Sequence, residues 1–230
     1  FIHRLLKRRH FWRYATFSEI AELYAARALR MLALNMISAF AAVYLFQNGY
    51  SLAFIGFYYA AYFFFRTLVV LPMAYFIARF GPKHSILVSN LLYVVALVIF
   101  VFVPQFGIVA LVGFGLFQAL SATMYELSYE IDFSKVSSHH HGGKELGYMN
   151  IVEKIAAGLS PLIGGIIAFL FGPQVTIIAA AVLFAVAAGP LFSTGEPVRT
   201  HQHLTFVSFP FRLVWRQMLA RAAVGFDYAV

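Results

Sequence analysis

Residues 84–103 read HSILVSNLLYVVALVIFVFV, twenty positions without an Asp, Glu, Lys or Arg. At ~1.5 Å rise per residue, a helix of this length covers the ~30 Å of a bilayer's hydrocarbon core. A strand of an outer-membrane barrel would need about ten residues of alternating character, which this run lacks. Working outward from it, comparable apolar runs occupy residues 20–46, 52–78, 106–130, 147–171 and 174–193. The sequence therefore predicts an all-α, polytopic membrane bundle of six transmembrane helices, with each of the six runs long enough to span.

The composition agrees. Of 230 residues, 62% are apolar and only 11% charged, where soluble domains carry about a quarter charged residues. Such a chain would expose more apolar surface to water than it could bury, so membrane lipid is its expected surrounding partner. The net charge of +8 does not point to nucleic acid, because the basic residues sit mostly between the apolar runs. With no cysteine, the chain can form neither disulfides nor thiolate metal sites.

Gln47 to Ser51, Pro104 to Gly107 and Phe171 to Pro173 hold no Lys or Arg, whereas the other connections are basic. They contain Arg4, Lys7, Arg8, Arg9 and Arg13, then Arg79 and Lys83, then Lys135 and Lys144, and finally Arg199, Arg212, Arg216 and Arg221. With six spans these all fall on one side, which the positive-inside rule makes cytoplasmic in a cell (inner or plasma) membrane. The expected organisation is a basic cytoplasmic segment over 1–19, a six-helix block over 20–193, and a linker opening a further helix over 194–230. Thr16 and Glu19 have capping-box spacing and predict the start of the first helix. Residues 131–147 read as the longest polar loop. The opening at Phe1 and the apolar-basic stretch running to Val230 read as a piece of a longer chain, with no cleavable signal peptide.

Several charges lie where lipid would be expected: Arg27 and Arg30 in the first run, Arg66 in the second, Glu126 and Glu130 in the fourth, Glu153 and Lys154 in the fifth. Each costs about 2.5–3.5 kcal/mol at a helix centre unless it finds a partner or water. Spacing places Arg27, Arg30, Glu126 and Lys154 in one layer of the inner half, with Arg66 deeper. The reading is a polar cavity in which Arg27 or Arg30 meets Glu126, the proton-responsive carboxylate, and in which Arg27, Arg30 and Arg66 attract an anionic or polar substrate group or pair with Glu126. The alternative is a set of fixed ion pairs that set helix packing, with Arg30, Glu130 and Lys154 snorkelling. Asn35 and Ser38, and the stripe of Gln118, Tyr125 and Tyr129, can line the same space.

The junction after the second run reads AYFIARFGPKH over 74–84. It resembles the loop signature of the major facilitator superfamily, matching at Arg79, Gly81 and Lys83. Ala74 replaces that signature's first glycine and Ala78 its aspartate, which bears on the charge-paired latch the aspartate supports. The fifth run contains GLSPLIGG over 158–165, and Gly158, Pro161, Gly164 and Gly165 resemble the glycine-proline pattern of the fifth helix in that superfamily, especially its antiporters. Small residues let helices approach closely, and a proline permits a bend. The resemblance covers about residues 16–195. It implies one six-helix half built from inverted three-helix repeats, a second half elsewhere, and alternating-access transport of a small-molecule substrate, with proton-coupled antiport as the candidate mode.

His139-His140-His141 invites comparison with zinc-exporting cation diffusion facilitators, but the second run has no His or acid to serve as their paired ligands, so a solvated loop is the expectation. No cofactor, metal or enzymatic motif is expected; there is no Walker lysine or zinc-protease signature. A non-transporting membrane scaffold and a metal exporter are the alternatives to a carrier.

Overall fold

The structure, a computed structural model, describes residues 2–137 and 142–192 together with Trp215, and of residues 2–19 the backbone course only. Helix α1 (Ile2–Gln47) leads into α2 (Leu52–Phe80), α3 (Pro82–Val101), a single turn α4 (Val103–Phe106), α5 (Ile108–Val136), α6 (Gly142–Phe171) and α7 (Pro173–Ala187), followed by a 3-10 turn at Gly189–Phe192. Five of these helices contain stretches long and apolar enough to cross a membrane.

Three expectations change. Helix α1 runs unbroken from Ile2, so Thr16 lies inside it and caps nothing; the preceding Leu, Arg and Lys are good helix formers, with no Gly or Pro to interrupt them. The polar loop expected over 131–147 is helical over much of its length, because α5 runs to Val136 and α6 starts at Gly142. The sixth span is shorter than expected. Its regular helix has 15 residues, about 22 Å, before Gly189 and Pro190 turn it into 3-10 geometry. The triple histidine and, apart from Trp215, the linker and further helix expected over 194–230, with Arg199, Arg212, Arg216 and Arg221, lie outside the described residues.

The helix ends follow local chemistry. Ser51 caps α2 by accepting a hydrogen bond from the Phe54 N–H at 3.2 Å. Gly81 (φ +88°) closes α2 and Pro82 opens α3, and Gly172 (φ +91°) with Pro173 does the same between α6 and α7. Glycine alone adopts that backbone freely, and a proline loses nothing at a helix's first position.

Helices α1, α3, α5 and α7 form the centre. An aromatic core joins them, with Phe100 against Phe114 (4.4 Å between ring centres), Tyr44 against Phe100 (5.1 Å) and Tyr93 stacked on Phe184 (4.1 Å). A second cluster brings Ile20, Leu23 and Ala26 of α1 to Ile86 of α3 and Tyr125, Tyr129 and Val136 of α5. Helices α2 and α6 flank this centre. Only 11% of the most apolar stretch of α2 is buried, against 50% for α5. Phe57, Phe64, Leu68 and Leu71 of α2 and Leu159, Leu162, Ile166 and Phe169 of α6 are exposed, an arrangement that suits lipid or a further helical layer and not water.

Candidate functional site: ion pairs inside the bundle

The intramembrane charges divide into three settings. Arg30 of α1 is sealed, at 2% exposure. Its guanidinium donates to Asn90 Oδ1 of α3 and, at 3.2 Å, to Ser121 Oγ of α5. Ser121 in turn donates to the Ser89 carbonyl at 2.7 Å. Ring faces complete the enclosure: Tyr125 at 3.8 Å, Phe184 at 5.2 Å and Tyr93 at 5.7 Å. Neutral dipoles and aromatic quadrupoles thus hold this cation.

Arg27, one turn earlier, bridges to Glu153 of α6, with both Nε and Nη2 at 3.2 Å from Oε2. Its other side faces the Tyr129 and Tyr125 rings at 5.0 and 5.5 Å. Arg66 of α2 pairs with Glu126 of α5 at 2.6 Å and lies 5.9 Å from the Tyr62 ring. The Glu126 side chain is 56% exposed, the most open member of either pair.

Glu126 stands on a ridge between two grooves. One, of about 440 Å³ between α2 and α5, is lined by Phe63, Arg66, Thr67, Val70, Thr123, Glu126, Leu127 and Glu130. The other, of about 460 Å³ between α5, α1 and α6, is lined by Arg27, Glu126, Tyr129, Glu130, Phe133, Leu146 and Met149. A space of this size can admit a small solute.

These contacts rearrange the expected partnerships. Neither Arg27 nor Arg30 pairs with Glu126; Arg66 does, and Arg27 takes Glu153. The apolar runs put Arg66 deeper than Glu126, yet the two meet, because α5 outlasts its run. The helix runs on to Val136, so Glu126 lies ~15 Å from its end and Arg66 ~21 Å from the end of α2. A long arginine stem spans that difference. Arg30 does not snorkel, being fully enclosed. Lys154 is on the exposed face of α6, next to the Glu153 that pairs with Arg27.

Asn35 turns back to its own helix, donating to the Met31 carbonyl at 2.8 Å, and Ser38 is exposed. Gln118 donates to the Tyr93 hydroxyl at 3.3 Å, and Tyr125 stacks on Tyr129 at 5.6 Å. At the α2–α3 junction, Gly81 makes the turn, Arg79 lies over the Phe80 ring at 5.7 Å, and Lys83 is buried. In α6, Gly164 faces α1, and a Cβ there would meet the Met36 carbonyl oxygen at 3.0 Å. Gly165 sits beside the Phe40 ring, whereas Gly158 and Pro161 lie on the exposed face.

Sequence reasoning missed the neutral partners Asn90 and Ser121, and assigned no role to Asp132. Asp132 is fully buried. It follows Ser121, Tyr125 and Ser128 on one buried stripe, with steps of four, three and four, a spacing that was readable in advance. It sits level with the first turns of α3, since Ile86 shares a buried cluster with Tyr129 and Val136. There the α3 N-terminus favours a carboxylate.

A helical bundle with five long apolar helices among the described residues and apolar outer faces on α2 and α6 is that of a polytopic membrane protein. The sequence model of the Major Facilitator Superfamily matches residues 23–228, and the chain belongs to that family. It is a membrane transporter, built as a helical bundle like one half of such a carrier, embedded in lipid and suited to a small-molecule substrate. No curated protein matches the chain.

Proposed function

We propose that the chain forms one six-helix half of a secondary-active carrier that moves a small solute by alternating access, with both ends of the six-helix block in the cytoplasm of a cell membrane. A second half would cover the open face of α2 and α6, and the substrate path would run between the halves past Arg27, Arg66 and Glu126. The observation that carries this reading is the Arg66–Glu126 pair, midway along α2 yet open to a 440 Å³ groove. A charge that only fixed helix packing would be closed off, as Arg30 is. The Arg79–Gly81–Lys83 junction is the proposed gating loop, and protons are the proposed coupling ion. Gly158 and Pro161, which carry part of the resemblance to antiporters, lie on the exposed face of α6 and outside the linings of both grooves.

The absence of native cysteines allows a test that needs no known substrate. In Thr67→Cys, the single thiol lines the α2–α5 groove. A membrane-impermeant maleimide should label it from either face of sealed vesicles as the carrier changes state. Labelling from one face only, or from neither, would favour a static scaffold and end the carrier reading.

A further inference from the structure

Three rings on the C-terminal half of α5 form a ladder. Tyr125 stacks on Tyr129 with ring centres 5.6 Å apart, and Tyr129 on Phe133 at 6.4 Å, with interplanar angles of 19° and 13°. Steps of four residues put all three on one side of the helix. Arg27 shows what such a ladder holds. Its guanidinium lies over the Tyr129 and Tyr125 rings at 5.0 and 5.5 Å and is pinned by the Glu153 carboxylate at 3.2 Å. Ring face and carboxylate each attract a planar cation, and together they fix its orientation.

The third rung has the same ingredients without the cation. Phe133 lines the groove of about 460 Å³ between α5, α1 and α6, and among the described residues no guanidinium lies over it. Glu130, three positions earlier on α5, lines the same groove on the neighbouring turn. We propose that this groove binds a guanidinium or amidinium ligand, stacked on Phe133 and paired with Glu130, as Arg27 is stacked on Tyr129 and paired with Glu153. The ligand would be the carrier's substrate, so the proposal deepens the reading above and rests on it.

Charge and shape both favour a cation. Arg27 and Arg66 each have a carboxylate of their own, Glu153 and Glu126. Glu130 is a third acid against those two bases, and Lys135, Lys144 and Lys154 are exposed and outside the groove's lining. An incoming anion would meet matched arginines and an acid, whereas a cation completes the balance. Tyr129, 4% exposed, lines the groove, and its buried hydroxyl has no hydrogen-bond partner among the described residues. An N–H of the ligand would supply one. Leu146 and Met149 of α6 form the opposite wall and suit an apolar body. That wall is fixed before a ligand arrives, because Tyr24 donates to the Glu145 carbonyl at 2.7 Å and Arg27 holds Glu153.

Benzamidine, benzamide and benzoate share one shape and differ in charge, so titration calorimetry of the protein in detergent near neutral pH separates them. Benzamidine should bind with a Kd below about 1 mM. Benzamide should bind at least about tenfold more weakly, and benzoate not at all. Glu130→Gln should weaken benzamidine about tenfold and erase its advantage over benzamide. Phe133→Leu should weaken it about threefold and leave that advantage in place. The proposal is overturned if benzamide or benzoate binds as tightly as benzamidine, if Glu130→Gln binds benzamidine unchanged, or if wild type binds none at about 10 mM. The wild-type comparison of the three probes decides the matter even if a variant fails to fold. Two-sided labelling of Thr67→Cys without benzamidine binding would sink this proposal and leave the carrier standing. Selective benzamidine binding with one-sided labelling would keep the site and end the carrier.

Discussion

Arg30 and Arg66 are the same chemical group, each carried into an apolar bundle, and the molecule accommodates them in opposite ways. Arg30 is walled in by Asn90, Ser121 and three aromatic rings, with neutral groups on every named side. Arg66 is given a carboxylate that is itself half in the open. A charge held by preorganised dipoles cannot be exchanged without dismantling the core, whereas a charge held by a mobile, hydrated acid can. The first arrangement builds the bundle, and the second leaves it something to do.

The largest expected effect falls on the sealed side. Arg30→Ala should cost about 3–5 kcal/mol in detergent unfolding, since it leaves a cavity and strips Asn90 and Ser121 of their partner. Asn90→Leu should cost a similar amount, by leaving a buried charge short of its acceptor. A loss below ~1 kcal/mol for either would break the comparison, because the enclosure would then be incidental.

The contrast was only half legible in the sequence. The helical class could be read from 84–103 alone, and the turns from Gly81-Pro82 and Gly172-Pro173, because membrane thickness and backbone sterics act locally. The list of charged residues was also readable, since any charge within an apolar run stands out. Which acid meets which base was not. Glu126 and Arg66 are separated by sixty positions, and their levels depend on where α5 ends, so the sequence leaves Arg27, Arg30 and Arg66 all as candidate partners of Glu126. Neutral partners such as Asn90 and Ser121 carry no signal against the many polar residues that only bond to their own helix, as Asn35 does. The shortness of α7 followed from Gly189-Pro190, a breaker that an apolar count passes over.

Next in size is the seam that supports the sealed side. Gly164→Leu should cost about 1–3 kcal/mol in the same assay, as its side chain must displace the Met36 backbone or the Phe40 ring. Gly158→Ala, six residues earlier with open space around it, should be neutral or slightly stabilising. Equal losses at both positions would mean that the whole glycine-proline stretch, and not the α1 contact, governs packing. Glu153→Gln comes after these, at about 1–2 kcal/mol. The Arg27–Glu153 pair is charge-assisted and partly buried, yet solvent still screens some of it.

The smallest expected loss of stability is at the pair argued to matter most for transport. Glu126→Gln should lower unfolding stability by less than about 1 kcal/mol. The carboxylate it removes is already more than half exposed, the amide oxygen can still accept from Arg66, and the guanidinium lines an open groove. What little is lost should shrink further in ~1 M salt, where screening shortens to about 3 Å. A salt-insensitive loss of more than ~2 kcal/mol would place Glu126 with Arg30 among the groups that hold the helices together. The distinction between a sealed charge and an exchangeable one would then no longer separate the two sides of the bundle.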